Sequence, residues 1–154
     1  SMPIDDLWKA DGIWNKSVGR DALLTHITVP GQAAGHRGAY GKMRDRGSID
    51  YPLFGCAVRL DLDGDVVADV DVACVALVAR PLRIKKVGEA LVGQRVGTPA
   101  FEDAAREVGE LAYKQAKPMD NIPGDAEYRR EMVPLYVRRT LLAATDGTGP
   151  VHHV

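Results

Sequence analysis

C-A-V-R-L-D-L-D-G-D-V-V-A-D-V-D-V, residues 56–72, is the stretch from which the fold can be read. Cys56, Val58, Leu60 and Leu62 alternate with Ala57, Arg59 and Asp61. A period of two puts the apolar set on one face of a strand and the polar set on the other. Asp63-Gly64 reads as a two-residue turn, whose central positions favour positive φ. Val66, Ala68, Val70 and Val72 then return against Asp69 and Asp71, which closes an antiparallel hairpin. With that turn, Leu62 faces Asp65 and Cys56 faces Asp71, so Cys56 and Cys74 are not opposite one another. After Val72 the alternation gives way to Cys74, Val75, Leu77 and Val78, as in a strand that ends covered on both faces.

Upstream, the segment from Gly38 to Arg46 carries Lys42, Arg44 and Arg46 against one acid, Asp45, and reads as a strand entering a turn at Gly47-Ser48. Earlier still, Leu23, Leu24, Ile27 and Val29 form an apolar stretch that Pro30 stops. Its β-branched content favours a strand. Gly31 to Gly35 is a small-residue linker. Downstream the pattern turns helical. Lys85 to Val92 is short and stops at Gly93. Thr98-Pro99 opens a second helix, with Phe101, Ala104, Ala105, Val108, Leu111 and Ala112 on one face and Pro118 beyond its end. Asp125 caps a third helix to about Ala144, with Tyr128, Met132, Leu135 and Leu142 as its stripe and Pro134 expected to kink or split it. Strands followed by helices give an α+β fold: a three- to four-stranded antiparallel sheet packed against three helices. Residues 1–35 read as an N-terminal segment and linker, 36–145 as the domain, and 146–154 as a disordered tail.

The 154 residues carry 20 Lys+Arg and 21 Asp+Glu, a formal net charge of −1. That leaves no global basic field to hold nucleic acid. The longest apolar run, Val72 to Ala79, is far short of the roughly 20 residues of a membrane span. Two cysteines are too few for a secreted disulfide scaffold. Ser1 before Met2 reads as an expression remnant with no signal peptide after it, so a cytoplasmic setting is expected.

Metal chemistry finds little support. Counted from Asp61, the acids of the hairpin put Gly64 at position four and Val72 at twelve, where a calcium loop needs Gly at six and Glu at twelve. His26, His36, His152 and His153 lack the spacing of a zinc site. Buried reduced thiols are the favoured reading of Cys56 and Cys74. Arg138-Arg139 reads as charge near a helix C-terminus. No P-loop or G-x-G-x-x-G turn is present. What remains is the basic strand. Tyr40 and Lys42 share a strand phase, so one face presents a ring and a cation together, an arrangement suited to a planar, anionic or polarised ligand.

D-A-L-L-T-H-I-T-V-P (21–30), Y-G-K-M-R-D-R-G-S-I-D-Y-P (40–52), A-R-P-L-R (79–83) and K-P-M-D-N-I-P-G-D-A-E-Y-R-R (117–130) come in the order seen in one family. Together they resemble the C-terminal domain of the FAD-binding medium or β subunit of molybdenum hydroxylases. That family includes carbon monoxide dehydrogenases, xanthine dehydrogenases and 4-hydroxybenzoyl-CoA reductases. The resemblance implies an oxidoreductase flavoprotein role in electron transfer, with FAD gripped mainly by a preceding domain and covered on one side by this one. It places Lys42 beside the FAD, Leu24 near the flavin or adenine, and Tyr40 as a supporting wall. It also implies partners: the FAD-binding domain, a molybdopterin subunit and an iron–sulfur subunit. R-D-R-G-S-I-D-Y-P and Lys85-Lys86 lean toward the aromatic acyl-CoA reductase branch. Gly-rich pyrophosphate loops are absent from the chain, which therefore reads as a truncated piece or a separately encoded half, inactive alone. The alternative is a non-catalytic interaction or assembly module that kept the fold and binds no flavin; a generic ligand-binding domain rests on the Tyr40/Lys42 face alone.

Overall fold

A computed structural model describes residues 1–32, 34–120 and 125–147, together with the backbone of 151–152. β1 (His36–Met43), β2 (Phe54–Asp63), β3 (Val66–Val75) and β4 (Leu82–Arg83) form an antiparallel meander. Two residues of the tail expected to be disordered, β5 (Val151–His152), pair parallel to Gly41 and Lys42 on the free edge of β1. The sheet order is β4-β3-β2-β1-β5. Helices α1 (Val87–Leu91), α2 (Pro99–Gln115) and α3 (Ala126–Thr145) complete the α+β architecture expected from the sequence.

The hairpin forms, with a different register. The loop is Gly64-Asp65, and only Gly64 takes a positive φ, +62°. That is the type II′ pattern, with glycine first. A bulge at Ala68 then adds one residue to β3, so Asp61 faces Asp69 while Leu62 faces Val67. The bulge also moves Val67 into the core and leaves Ala68 exposed. Together the two shifts bring Cys56 directly opposite Cys74, which overturns the expected offset. Both thiols are free and fully buried. The hydrogen bond with Cys56, followed by burial, pushes the Cys74 thiol far up from its ordinary range.

Burial sorts the sheet into two faces. Ala39, Met43, Phe54, Cys56, Val58, Leu60, Val70, Val72 and Cys74 point into the core. α3 crosses this face close to β1 because Gly41 has no side chain: a Cβ there would lie 2.6 Å from the Thr140 hydroxyl. Phe54 meets Tyr136 of α3 edge to face, with centroids 5.8 Å apart. α2 begins as expected, with Thr98 accepting from the Phe101 N–H and Pro99 in the first turn. Asp125 caps α3 by accepting from the Glu127 N–H.

Three helical expectations are corrected. α3 runs unbroken through Pro134, which packs on Gly109 of α2, where a Cβ would lie 2.9 Å from the Pro134 carbonyl oxygen. Its buried stripe is Arg129, Val133, Tyr136, Val137, Thr140, Leu141 and Ala144, while Tyr128 is exposed. Two members of that stripe are polar, which hid it from a hydrophobic reading. Arg129 is buried because its guanidinium donates to the carbonyls of Ala76 and Met119, and Thr140 donates to the Tyr136 carbonyl. Arg138 does not cap the helix: it reaches Glu102 of α2 at 3.4 Å, seven residues before α3 ends.

Residues 22–30 form no strand, and Leu23, Leu24, Ile27 and Val29 are exposed. β-branched propensity needs a ladder partner, and the sheet offers this stretch none. The N-terminal segment is a 3₁₀ turn (Ile4–Leu7) and a Trp8–Lys16 bridge. Asn15 donates to the Ala79 carbonyl, and Asp5 pairs with Arg83 at 3.0 Å, which ties the segment to the sheet. Among the described residues no helix is long and apolar enough to cross a membrane.

Candidate functional site

The face of the sheet turned away from the helices carries His36, Gly38, Tyr40 and Lys42 of β1, Gly55, Ala57, Arg59 and Asp61 of β2, and Asp69, Asp71, Ala73 and Val75 of β3. This follows from the alternation and the register. Small residues (Gly38, Gly55, Ala57 and Ala73) are interspersed among its charged residues and Tyr40.

At one end, Arg59 donates to Asp61 and to Asp69 (2.7 Å), Arg83 binds Asp71 and Asp5, and His36 Nδ1 lies 2.7 Å from Asp61 Oδ1. Asp61, Asp69 and Asp71 are thus organised as an ion-pair lattice across the strands. The Arg59 hydrogen bond holds the Asp69 carboxyl below the usual carboxylate range. Among the described residues no three His, Cys, Asp or Glu side chains are grouped as a metal site requires.

At the other end, Tyr40 and Lys42 both neighbour one glycine, Gly55. Lys42 pairs across the ladder with Gly55, and Tyr40 pairs with Ala57 and leans diagonally over Gly55. A Cβ on Gly55 would lie 2.4 Å from the Tyr40 hydroxyl and 2.8 Å from Val75 Cγ2, so the ring can lie there only because residue 55 has no side chain. Tyr40 remains 38% exposed. Burial, then the neighbouring Cys56, pushes its hydroxyl up from the ordinary value, so it stays neutral at physiological pH.

Lys42 is not a free cation. Its Nζ donates to Asp50 Oδ1 at 3.2 Å and to the Asp50 carbonyl at 3.3 Å, and Arg44 approaches the same carboxylate at 4.0 Å. The loop between β1 and β2 folds back to make this contact and closes with Leu53 N–H donating to the Met43 carbonyl. Sequence reading passed over Asp50. The signal available was its place as the closing acid of the 40–52 motif.

Leu24 is not brought to this end. It is 63% exposed and borders a groove of about 530 Å³ formed by residues of the first 28, which neither Tyr40 nor Lys42 lines. Residues 121–124 of the fourth motif lie outside the described residues.

The fit to a flavin is therefore that of one wall. Small residues, a half-open ring and an ammonium on one face suit one side of a planar, electron-accepting group. Among the described residues no phosphate cradle accompanies them.

The sequence model of the CO dehydrogenase flavoprotein C-terminal domain matches residues 38–144. The chain is 30% identical over 144 residues to the nicotine 6-hydroxylase medium subunit of Paenarthrobacter nicotinovorans, covering 94% of this chain and 48% of that one. It is 30% identical to the carbon monoxide dehydrogenase medium chain of Hydrogenophaga pseudoflava, covering 79% of this chain and 41% of that one. The solved carbon monoxide dehydrogenase of Hydrogenophaga pseudoflava superposes with a TM-score of 0.68 at 30% identity, over 77% of this chain and 40% of that chain. Quinoline 2-oxidoreductase from Pseudomonas putida 86, at 23% identity and a TM-score of 0.64, shares the fold. The chain thus spans half or less of the length of these relatives. With the matched region running from β1 to the last turn of α3, the chain belongs to the CO dehydrogenase flavoprotein C-terminal domain family, the C-terminal domain of FAD-binding molybdenum hydroxylase subunits.

Proposed function

We propose that the outer face of the sheet at Tyr40 and Lys42 forms one wall of an FAD site whose phosphate-binding part lies in a separate FAD-binding domain. The observation that carries this reading is that Tyr40, which leans over Gly55, and Lys42, the ladder partner of Gly55, stand side by side on the face turned away from α3, in a chain of a flavoprotein family. FAD, when bound, accepts electrons and passes them on. Lys42 supplies a fixed positive charge that favours the more electron-rich form of a neighbouring group. Tyr40 supplies a neutral ring edge and excludes water. Leu24 belongs to an exposed apolar stretch with Leu23, Ile27 and Val29, which suits contact with the same FAD-binding domain.

The wider setting belongs to the same proposal: an electron-transfer subunit of a molybdenum hydroxylase-type oxidoreductase, inactive alone, working with molybdopterin and iron–sulfur subunits. A cytoplasmic location fits two free, buried thiols. The aromatic acyl-CoA reductase branch draws no support from the relatives, which are hydroxylase and dehydrogenase medium chains.

The test is capture. The chain is mixed with FAD and a separately expressed FAD-binding domain of a medium-chain relative, then gel-filtered with visible detection. Flavin absorbance travelling with the pair, and weakened by Lys42→Ala, supports the reading. The second reading, an assembly module without flavin, is favoured by one observation: the Lys42 charge is already paired with Asp50. Stable pairing of the two domains with no effect of Lys42→Ala on flavin retention or potential would establish it instead.

A further inference from the structure

We propose that Asp50 is the positioning residue for the Lys42 ammonium, fixing where that charge stands on the outer face and how much of it a bound group feels. The second half of this proposal rests on the flavin reading.

Asp50 holds one ammonium with two oxygens, its backbone carbonyl at 3.3 Å and Oδ1 at 3.2 Å. A lysine has four rotatable side-chain bonds, and two acceptors from one residue select a single placement of its end. The carboxylate doing this is itself inside: its side chain is 8% exposed, and Oδ2 is buried with no hydrogen-bond partner among the described residues. A buried acceptor left in that state is uncommon in native structures and calls for a reason. The backbone beside it is also costly. Ile49, a β-branched residue, stands at φ +50°, with the Arg46 guanidinium on its carbonyl. The loop therefore accepts a strained residue and an unpartnered oxygen at successive positions, and what it gains is Asp50 under Lys42. Strain of this kind persists where the surrounding structure enforces it and gathers at functional positions.

The charges follow. One carboxylate lies between two cations, Lys42 and Arg44, so the cluster keeps one net positive charge. Asp50→Asn keeps both acceptor oxygens and removes the negative charge, which leaves two cations. Lys42→Met leaves the carboxylate with Arg44 alone. The two variants must therefore act in opposite directions on any group whose charge becomes more negative beside the cluster.

The first arm of the experiment uses the 154-residue chain alone. With isotope-labelled lysine, the Lys42 ammonium is expected to give a distinct, slowly exchanging ¹H–¹⁵N signal. The signal should survive in Asp50→Asn and be lost in Asp50→Ala, with circular dichroism confirming that each variant folds. An unchanged signal in Asp50→Ala overturns the proposal. The second arm uses the chain with FAD and the FAD-binding domain in trans. The flavin potential should rise in Asp50→Asn and fall in Lys42→Met. Shifts of the same sign, or a shift in Lys42→Met with none in Asp50→Asn, overturn the proposal. If the ammonium signal behaves as expected and neither variant moves the potential, Asp50 still positions Lys42, and it is the flavin reading that fails.

Discussion

The two faces of this sheet are made by the same strands and obey opposite rules. The inner face is filled: Phe54, Leu60 and Val72 have no measurable exposure, and α3 approaches Gly41 closely enough to exclude a methyl group. The outer face carries small residues at Gly38, Ala57 and Ala73, and keeps its ring and its cation at one end, around Gly55. Packing determines residue choice on the first face. On the second, Gly38 stays small where a methyl group would meet only the Val58 carbonyl at 3.5 Å, and a cation is held by a loop with a strained residue and an unpartnered oxygen.

That contrast can be broken most forcefully with the aromatic residues. Phe54→Ala should cost about 3–5 kcal/mol in denaturant unfolding, whereas Tyr40→Ala should cost under about 2 kcal/mol because its ring is only partly buried. Equal losses would erase the distinction between the faces. Glycines give the next largest effect. Gly41→Ala must push Thr140 away and should lose about 1–3 kcal/mol. Gly38→Ala meets nothing closer than the Val58 carbonyl at 3.5 Å and should be neutral or stabilising by a few tenths of a kcal/mol. The smallest effect concerns pH. The Asp69 carboxyl is held low by Arg59, so its contribution is present above the ordinary carboxylate range and is lost as pH falls through its depressed value. The pair is largely exposed, so Asp69→Asn should cost under about 1 kcal/mol at neutral pH and flatten the acid limb of the stability curve slightly. A larger loss would mean that the lattice on the outer face is structural in the way the inner face is.

Local signals carried much of the fold. The alternation of Cys56 to Leu62, the caps at Thr98 and Asp125, and the α2 stripe were legible because each depends on neighbours in sequence. Register was not, because the extra residue at Ala68 is a property of two strands together and the turn could place its glycine first or second. The buried stripe of α3 was hidden by Arg129 and Thr140, which are polar residues satisfied by backbone carbonyls that no periodicity reveals. At the site, the shared phase of Tyr40 and Lys42 was readable from a spacing of two. Asp50 was not, because its contact with Lys42 is made by a loop whose path depends on Ile49 at positive φ. Leu24 was placed by resemblance alone, and it lines a groove that neither Tyr40 nor Lys42 reaches.

The central claim is that the outer face lends one positive charge to a flavin held mostly elsewhere, and the flavin potential tests it most directly. Potentials are to be measured for the chain paired with an FAD-binding domain, as wild type and as Lys42→Met. Removing one charge, partly offset by Asp50, should change the interaction by about 1–3 kcal/mol, a fall of roughly 20–60 mV for a two-electron couple. Identical potentials in the two proteins, with flavin bound equally well in both, would contradict it.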